Sequence, residues 1–152
     1  MEIKSVADIA ECLKKKGEKL HSLSDAHIRN IEQFYGVSLP GVYRQFLSLM
    51  GNGAGRYMLG SAVFYDHILL LGEWGKELIE ENELSAAPPD AFFFWMHQGY
   101  QAAYFKLSDG DDPPVYFFSE GEAMIDFVKE SSLTNFLIDQ LFMSYSDLPY
   151  SR

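Results

Sequence analysis

Four histidines, one cysteine and a few short carboxylate runs are the residues of this 152-residue chain with the means to do chemistry. His21, His27, His67 and His97 form no His-x-x-x-His pair, and Cys12 is the only cysteine, so no structural zinc site can be assembled from the spacing. Asp66-His67 could in principle act as an acid–base pair. The segment Tyr57 to Tyr65 just before it reads as a strand, however, and neighbours on a strand point to opposite faces. No Gly-x-Ser-x-Gly elbow surrounds any serine, and Cys12 has no histidine near it in sequence. A small hydrolase using Asp66, His67 or His97 is therefore the least supported of three functional classes.

Asp109-Gly110-Asp111-Asp112 invites a calcium reading, because Glu120 falls at the twelfth position counted from Asp109. Pro113 and Pro114 then occupy the fifth and sixth positions, where a side-chain ligand and the turn glycine are required, so the run reads as a solvated turn. Gly51-Asn52-Gly53-Ala54-Gly55 is glycine-rich like a phosphate loop. It follows a helix and lacks the Lys-Ser/Thr that a phosphate loop needs. The expectation is a protein without metal, cofactor or catalytic residues.

The composition supplies ample core material: 47% hydrophobic residues, with 12 Phe, 9 Tyr and 2 Trp. A chain of this length is read as one domain spanning 1–152, burying roughly 70% of its unfolded surface. Asp8 and Glu11 interrupt the N-terminal segment before a signal-peptide apolar run can develop, and no stretch reaches the roughly 18 apolar residues of a membrane span. A single cysteine suits a reducing compartment, so a cytoplasmic location and no membrane partner are expected.

Charge is unevenly placed. Residues 1–56 carry eight Lys/Arg against six Asp/Glu, whereas 57–152 carry four against sixteen, which puts a net −12 on the second part. Such a surface repels phosphates and disfavours nucleic acid as a partner. It attracts and steers a basic protein in a salt-dependent way.

The elements that must carry this surface are readable in outline. Val6, Ile9, Ala10 and Leu13 make a short amphipathic helix that ends in Lys14-Lys15-Lys16-Gly17, the lysines complementing the helix dipole. Ser24 caps a second helix with an apolar stripe of Ile28, Ile31, Phe34 and Tyr35, stopped by Gly36. Pro40 suits the first position of a third helix, which carries Tyr43, Phe46, Leu47 and Met50. Glu73 to Asn82 reads as a polar surface helix anchored by Trp74 and Leu78. Ala91–Met96, Ala102–Leu107 and Val115–Phe118 form an antiparallel meander, its first turn permitted by Gly99. In Phe92-Phe93-Phe94-Trp95 both strand faces are aromatic, so both must be covered. Ser119-Glu120-Gly121-Glu122 has capping-box spacing, and a C-terminal helical region running from Ile125 to Phe142 closes the core.

The pattern I-E-x-x-Y-G-x-x-L-P-x-x-Y-R-x-F-L followed by G-N-G, from Ile31 to Gly53, resembles the opening of the SUKH superfamily, the Smi/Knr-type domain. Phe92 to Trp95, His97 to Gln101 and Asp112 to Tyr116 resemble its central strands, so the likeness runs from about Ser24 to Glu122. It implies an α+β domain with a central, mainly antiparallel meander sheet flanked by N-terminal and C-terminal helices. It further implies a binding protein: most often a bacterial immunity protein that neutralises a polymorphic toxin by direct contact, alternatively a regulatory scaffold like the fungal members. Joined to the charge distribution, the expected partner is a basic, nucleic-acid-targeting toxin domain. The expected binding residues are Asp109, Asp111, Asp112, Glu120 and Glu122, with Glu77, Glu80, Glu81 and Glu83 as a second patch. Tyr100, at the turn, is the expected aromatic anchor.

Overall fold

The computed structural model describes residues 2–148. Three helices open the chain: α1 (Val6–Lys15), α2 (Asp25–Tyr35) and α3 (Gly41–Met50). Their ends follow local chemistry. Ser5 and Ser24 are N-caps whose hydroxyls accept from the backbone N–H groups of Asp8 and His27. Gly36 adopts φ 67° and lets the Val37 N–H reach the Glu32 carbonyl, which ends α2. Pro40 is the N-cap of α3, one position earlier than expected.

A two-residue strand β1 (Ser61–Ala62) precedes α4 (Tyr65–Glu81). The sheet continues with β2 (Ala91–His97), β3 (Gln101–Lys106), β4 (Pro114–Ser119) and β5 (Val128–Ser132), and α5 (Leu133–Ser144) follows directly. All neighbouring strands are antiparallel, in the order β1-β2-β3-β4-β5. The architecture is the expected α+β meander with helices on either side. Gln98 (φ 49°) and Gly99 (φ 77°) both take positive φ in the three-residue connection between β2 and β3, where the Tyr100 N–H donates to the His97 carbonyl at 3.2 Å.

A bulge between Phe93 and Trp95 decides how the aromatic strand is shared between the two faces. Phe92, Phe94 and Trp95 join the core under α1, α2, α3 and α5, where Tyr43 lies 5.4 Å from Phe92 and 5.3 Å from Phe105 between ring centroids. Phe93 and Met96 face the other way, against Leu71, Leu78 and Ile79 of α4. The loop before β5 completes that second layer, with Phe127 at 5.0 Å from Tyr104.

Three expectations fail. Tyr57 to Tyr65 is mostly turns rather than a strand, because Tyr57 is a core plug: it is fully buried and donates its hydroxyl hydrogen to the Leu137 carbonyl at 2.7 Å. The polar helix begins at Tyr65, two turns before Glu73, and its first turns are buried through Ile68 and Leu71. Ser119-Glu120-Gly121-Glu122 caps no helix. Ser119 is buried at the end of β4, where its hydroxyl accepts from Gln101 Nε2. Gly121 and Ala123 take positive φ, which excludes a helix there, and Ile125 is left exposed. The C-terminal helix starts only at Leu133.

Candidate partner-binding surface

The predicted acidic residues do not form one rim. The first group is divided between the two ends of β3 and β4, and six residues of strand separate those ends by roughly 20 Å. At one end, the Glu120 N–H donates to the Tyr100 carbonyl at 2.8 Å, which joins Tyr100 and Glu120 and carries Glu122 in the following turn. Tyr100 is 38% exposed, with its ring edge-on to His97.

At the other end, Asp109 closes a single helical turn (Leu107–Asp109) and lies 3.9 Å from the Lys106 ammonium. The Tyr116 hydroxyl first, then Asp109, hold Lys106 above its ordinary pKa. Next to it, Ser108 hydrogen bonds hold the Asp90 carboxyl below its usual value.

Asp111 and Asp112 have structural duties. Asp111 Oδ1 accepts from the Gly41 N–H at 3.1 Å and its carbonyl accepts from Val42 at 2.9 Å, so it supplies acceptors to the first turn of α3. Asp112 Oδ1 accepts from the Thr134 N–H at 2.9 Å, while the Pro113 carbonyl takes the Leu133 N–H and the Ser132 hydroxyl takes that of Asn135. The first N–H groups of a helix have no partner within it, and a carboxylate beside them is also favoured by the helix dipole. The loop that looked like a calcium motif thus clamps two helix N-termini.

The second patch lies on α4 and just beyond it. Glu73, Glu77 and Glu81 repeat every four residues along the helix, and its last turn holds no basic residue. Like charges at that spacing repel, and carboxylates at a helix C-terminus oppose the dipole. Among the described residues none of Glu77, Glu80, Glu81 and Glu83 is in an ion pair.

The helix divides them between two hollows. Glu77 and Glu81, with Trp74, His67 and Gly99, line one of about 710 Å³ beside the β2–β3 turn, so the end of the sheet bearing Tyr100 adjoins it. Glu80 and Glu83 line another of about 1020 Å³ between α2 and α4.

The catalytic alternatives gain little from the fold. Asp66 and His67 sit in the first turn of α4, not on a strand, and Asp66 Oδ1 lies 3.3 Å from His67 Nδ1 with both side chains exposed to water. Ser61 Oγ and His97 Nδ1 are 2.9 Å apart across β1–β2, a contact that sequence spacing did not suggest. His97 stacks at 6.0 Å on Trp95, and no carboxylate is bonded to it among the described residues. Cys12 is buried on α1. No group of three or more metal-ligating side chains occurs among the described residues, and no helix there is long and apolar enough to cross a membrane.

Sequence reasoning missed Phe34. The apolar stripe expected on α2 includes it, yet the residue is 60% exposed at the wall of the larger hollow. Ile28, Ile31 and Tyr35 already complete a one-sided stripe at spacings of three and four, which was the available signal.

The structure thus presents an α+β meander, a loop that caps two helices, and carboxylates around two hollows. The model of the SMI1 / KNR4 family (SUKH-1) matches residues 22–139, more than half of the chain, and the protein belongs to that family. The match extends past β4 into α5. A comparison with curated proteins finds no match.

Proposed function

We propose that this protein is an immunity protein that neutralises a cognate toxin domain, one that is basic and acts on nucleic acid, by binding it directly and covering its working surface. The carrying observation is the run of carboxylates over the second half of α4. They are mutually repulsive, opposed to their own helix dipole and unpaired within the chain. A basic partner relieves each of those penalties on binding. Membership of the SMI1 / KNR4 family supports a binding role, and the net charge of −10 supports the sign of the partner. Asp109, Glu120, Glu122 and Tyr100 serve as secondary contacts, while Asp111 and Asp112 act chiefly through the helices they cap.

The test is co-expression with the product of the adjacent gene. Rescue of growth together with a stable complex that weakens as salt is raised is the expected result. Absence of any complex even at low salt overturns the reading.

A further inference from the structure

The hollow between α2 and α4 joins an apolar lining to a charged margin. Val37, Leu69, Ile79, Leu84 and Pro88 contribute to its lining, and Phe34 stands at its wall with most of its ring in water. An aromatic ring left exposed beside an apolar hollow is the side chain type that anchors interfaces. The volume, about 1020 Å³, is at the upper end of the roughly 300–1,000 Å³ typical of ligand pockets.

The hollow sits at an edge of the sheet. Phe92 and Phe93, which belong to opposite faces, both line it, and β1 pairs only with Met96 and His97, so the outer edge of β2 before them has no strand neighbour. The walls are fixed in place. The Tyr35 hydroxyl donates to the Ile68 carbonyl at 2.6 Å and accepts from the Gly72 N–H at 3.3 Å, which ties α2 to α4. Pro88-Pro89 stiffens the opposite side.

Charge identifies the occupant. Glu73, Glu80 and Glu83 also line the hollow against a single Lys76, and no ion pair engages any of the four among the described residues. We propose that this hollow docks a short segment of the basic partner protein in which an apolar side chain is flanked by lysine or arginine. The apolar group fills the hollow against Phe34, and its cationic neighbours meet the glutamates. This deepens the immunity reading and rests on it for the nature of the partner.

The probe is a phage-displayed library of random peptides panned on the immobilised full chain, followed by titration of the synthetic consensus peptide. The expected consensus is apolar with Lys or Arg beside it. Phe34→Ala and the pair Glu80→Gln/Glu83→Gln each weaken the peptide by about tenfold or more, whereas Glu130→Gln, on the opposite edge of the sheet, leaves it unchanged. Lys76→Gln tightens it, a gain that misfolding cannot imitate. No enrichment, an acidic or uncharged consensus, or an affinity indifferent to Phe34→Ala and Lys76→Gln overturns the proposal. A toxin complex that forms but ignores Phe34→Ala removes this docking site and leaves the immunity function standing. Peptide binding without any toxin complex does the reverse.

Discussion

Asp112 Oδ1 accepts the backbone N–H of Thr134 at 2.9 Å, tying a loop between β3 and β4 to the first turn of α5. Together with Asp111, which meets the first turn of α3 in the same way, and the Pro113 carbonyl, it makes three consecutive loop residues responsible for the placement of two helices. Acidity at this loop is therefore first a matter of stability. Asp111→Ala and Asp112→Ala are each expected to lower unfolding free energy by about 1 kcal/mol, the usual loss on removing a helix cap. Glu120→Gln and Glu122→Gln, which are exposed, should stay within about 0.5 kcal/mol of the parent. Urea unfolding of the four variants measures the contrast.

Gly75 has no room for a side chain. A Cβ built there would lie 2.5 Å from the ring of Phe93, so α4 packs directly on the aromatic strand. Gly75→Ala should cost about 1–3 kcal/mol through overpacking. In a Phe93→Ala background the same change should cost far less, since the clashing ring is gone. A double-mutant cycle by denaturant unfolding reads this coupling directly.

Glu18 predicts a pH dependence. The Tyr145 hydroxyl, which donates to it at 2.6 Å, and then the Arg56 backbone N–H hold its carboxyl below the ordinary value of 4.5. A carboxyl lowered on folding stabilises the native state fully above its unfolded pKa, and that stabilisation is lost as pH falls through the folded value. Glu18→Gln should therefore be less stable than the parent at neutral pH, with the gap closing as the solution is acidified below about pH 4. Stability curves of both proteins across that range test the sign.

If the proposed function holds, charge on α4 should govern the encounter with the proposed toxin domain. Glu77→Lys/Glu81→Lys is expected to slow association by about tenfold at low salt and to flatten its salt dependence, with a smaller effect on dissociation. Stopped-flow association at several ionic strengths separates the two rates. Asp66→Asn and His67→Ala should leave growth rescue intact, and loss of rescue with the fold preserved would revive the hydrolase reading.

Local chemistry made much of the fold legible. Ser24 and Gly36 bound α2 because a cap hydroxyl and a left-handed residue act within a few residues of chain. The three central strands were readable because their apolar and aromatic runs are bounded by turn residues. Strand β5 was not: Val-Lys-Glu-Ser-Ser is an exposed edge with no buried face to impose a pattern. The early start of α4 was hidden because its first turns are buried and apolar, whereas its glutamates, exposed further along, carried the visible helix signal.

The sequence by itself determined the family, the aromatic core and the sign of the surface charge, since each depends on residue types and short spacings. Only the tertiary structure decided what the charges do. The cap at Asp111 bridges 70 residues to Gly41 and that at Asp112 bridges 22 to Thr134, distances over which no periodic pattern operates. The same holds for Phe34, which stays exposed at the wall of a hollow that residues from α2, α4 and β2 line together. Hydrogen-bond partners and shared cavities arise when distant segments meet, so carboxylates alike in sequence become caps at one end of the sheet and groups in no ion pair among the described residues on α4.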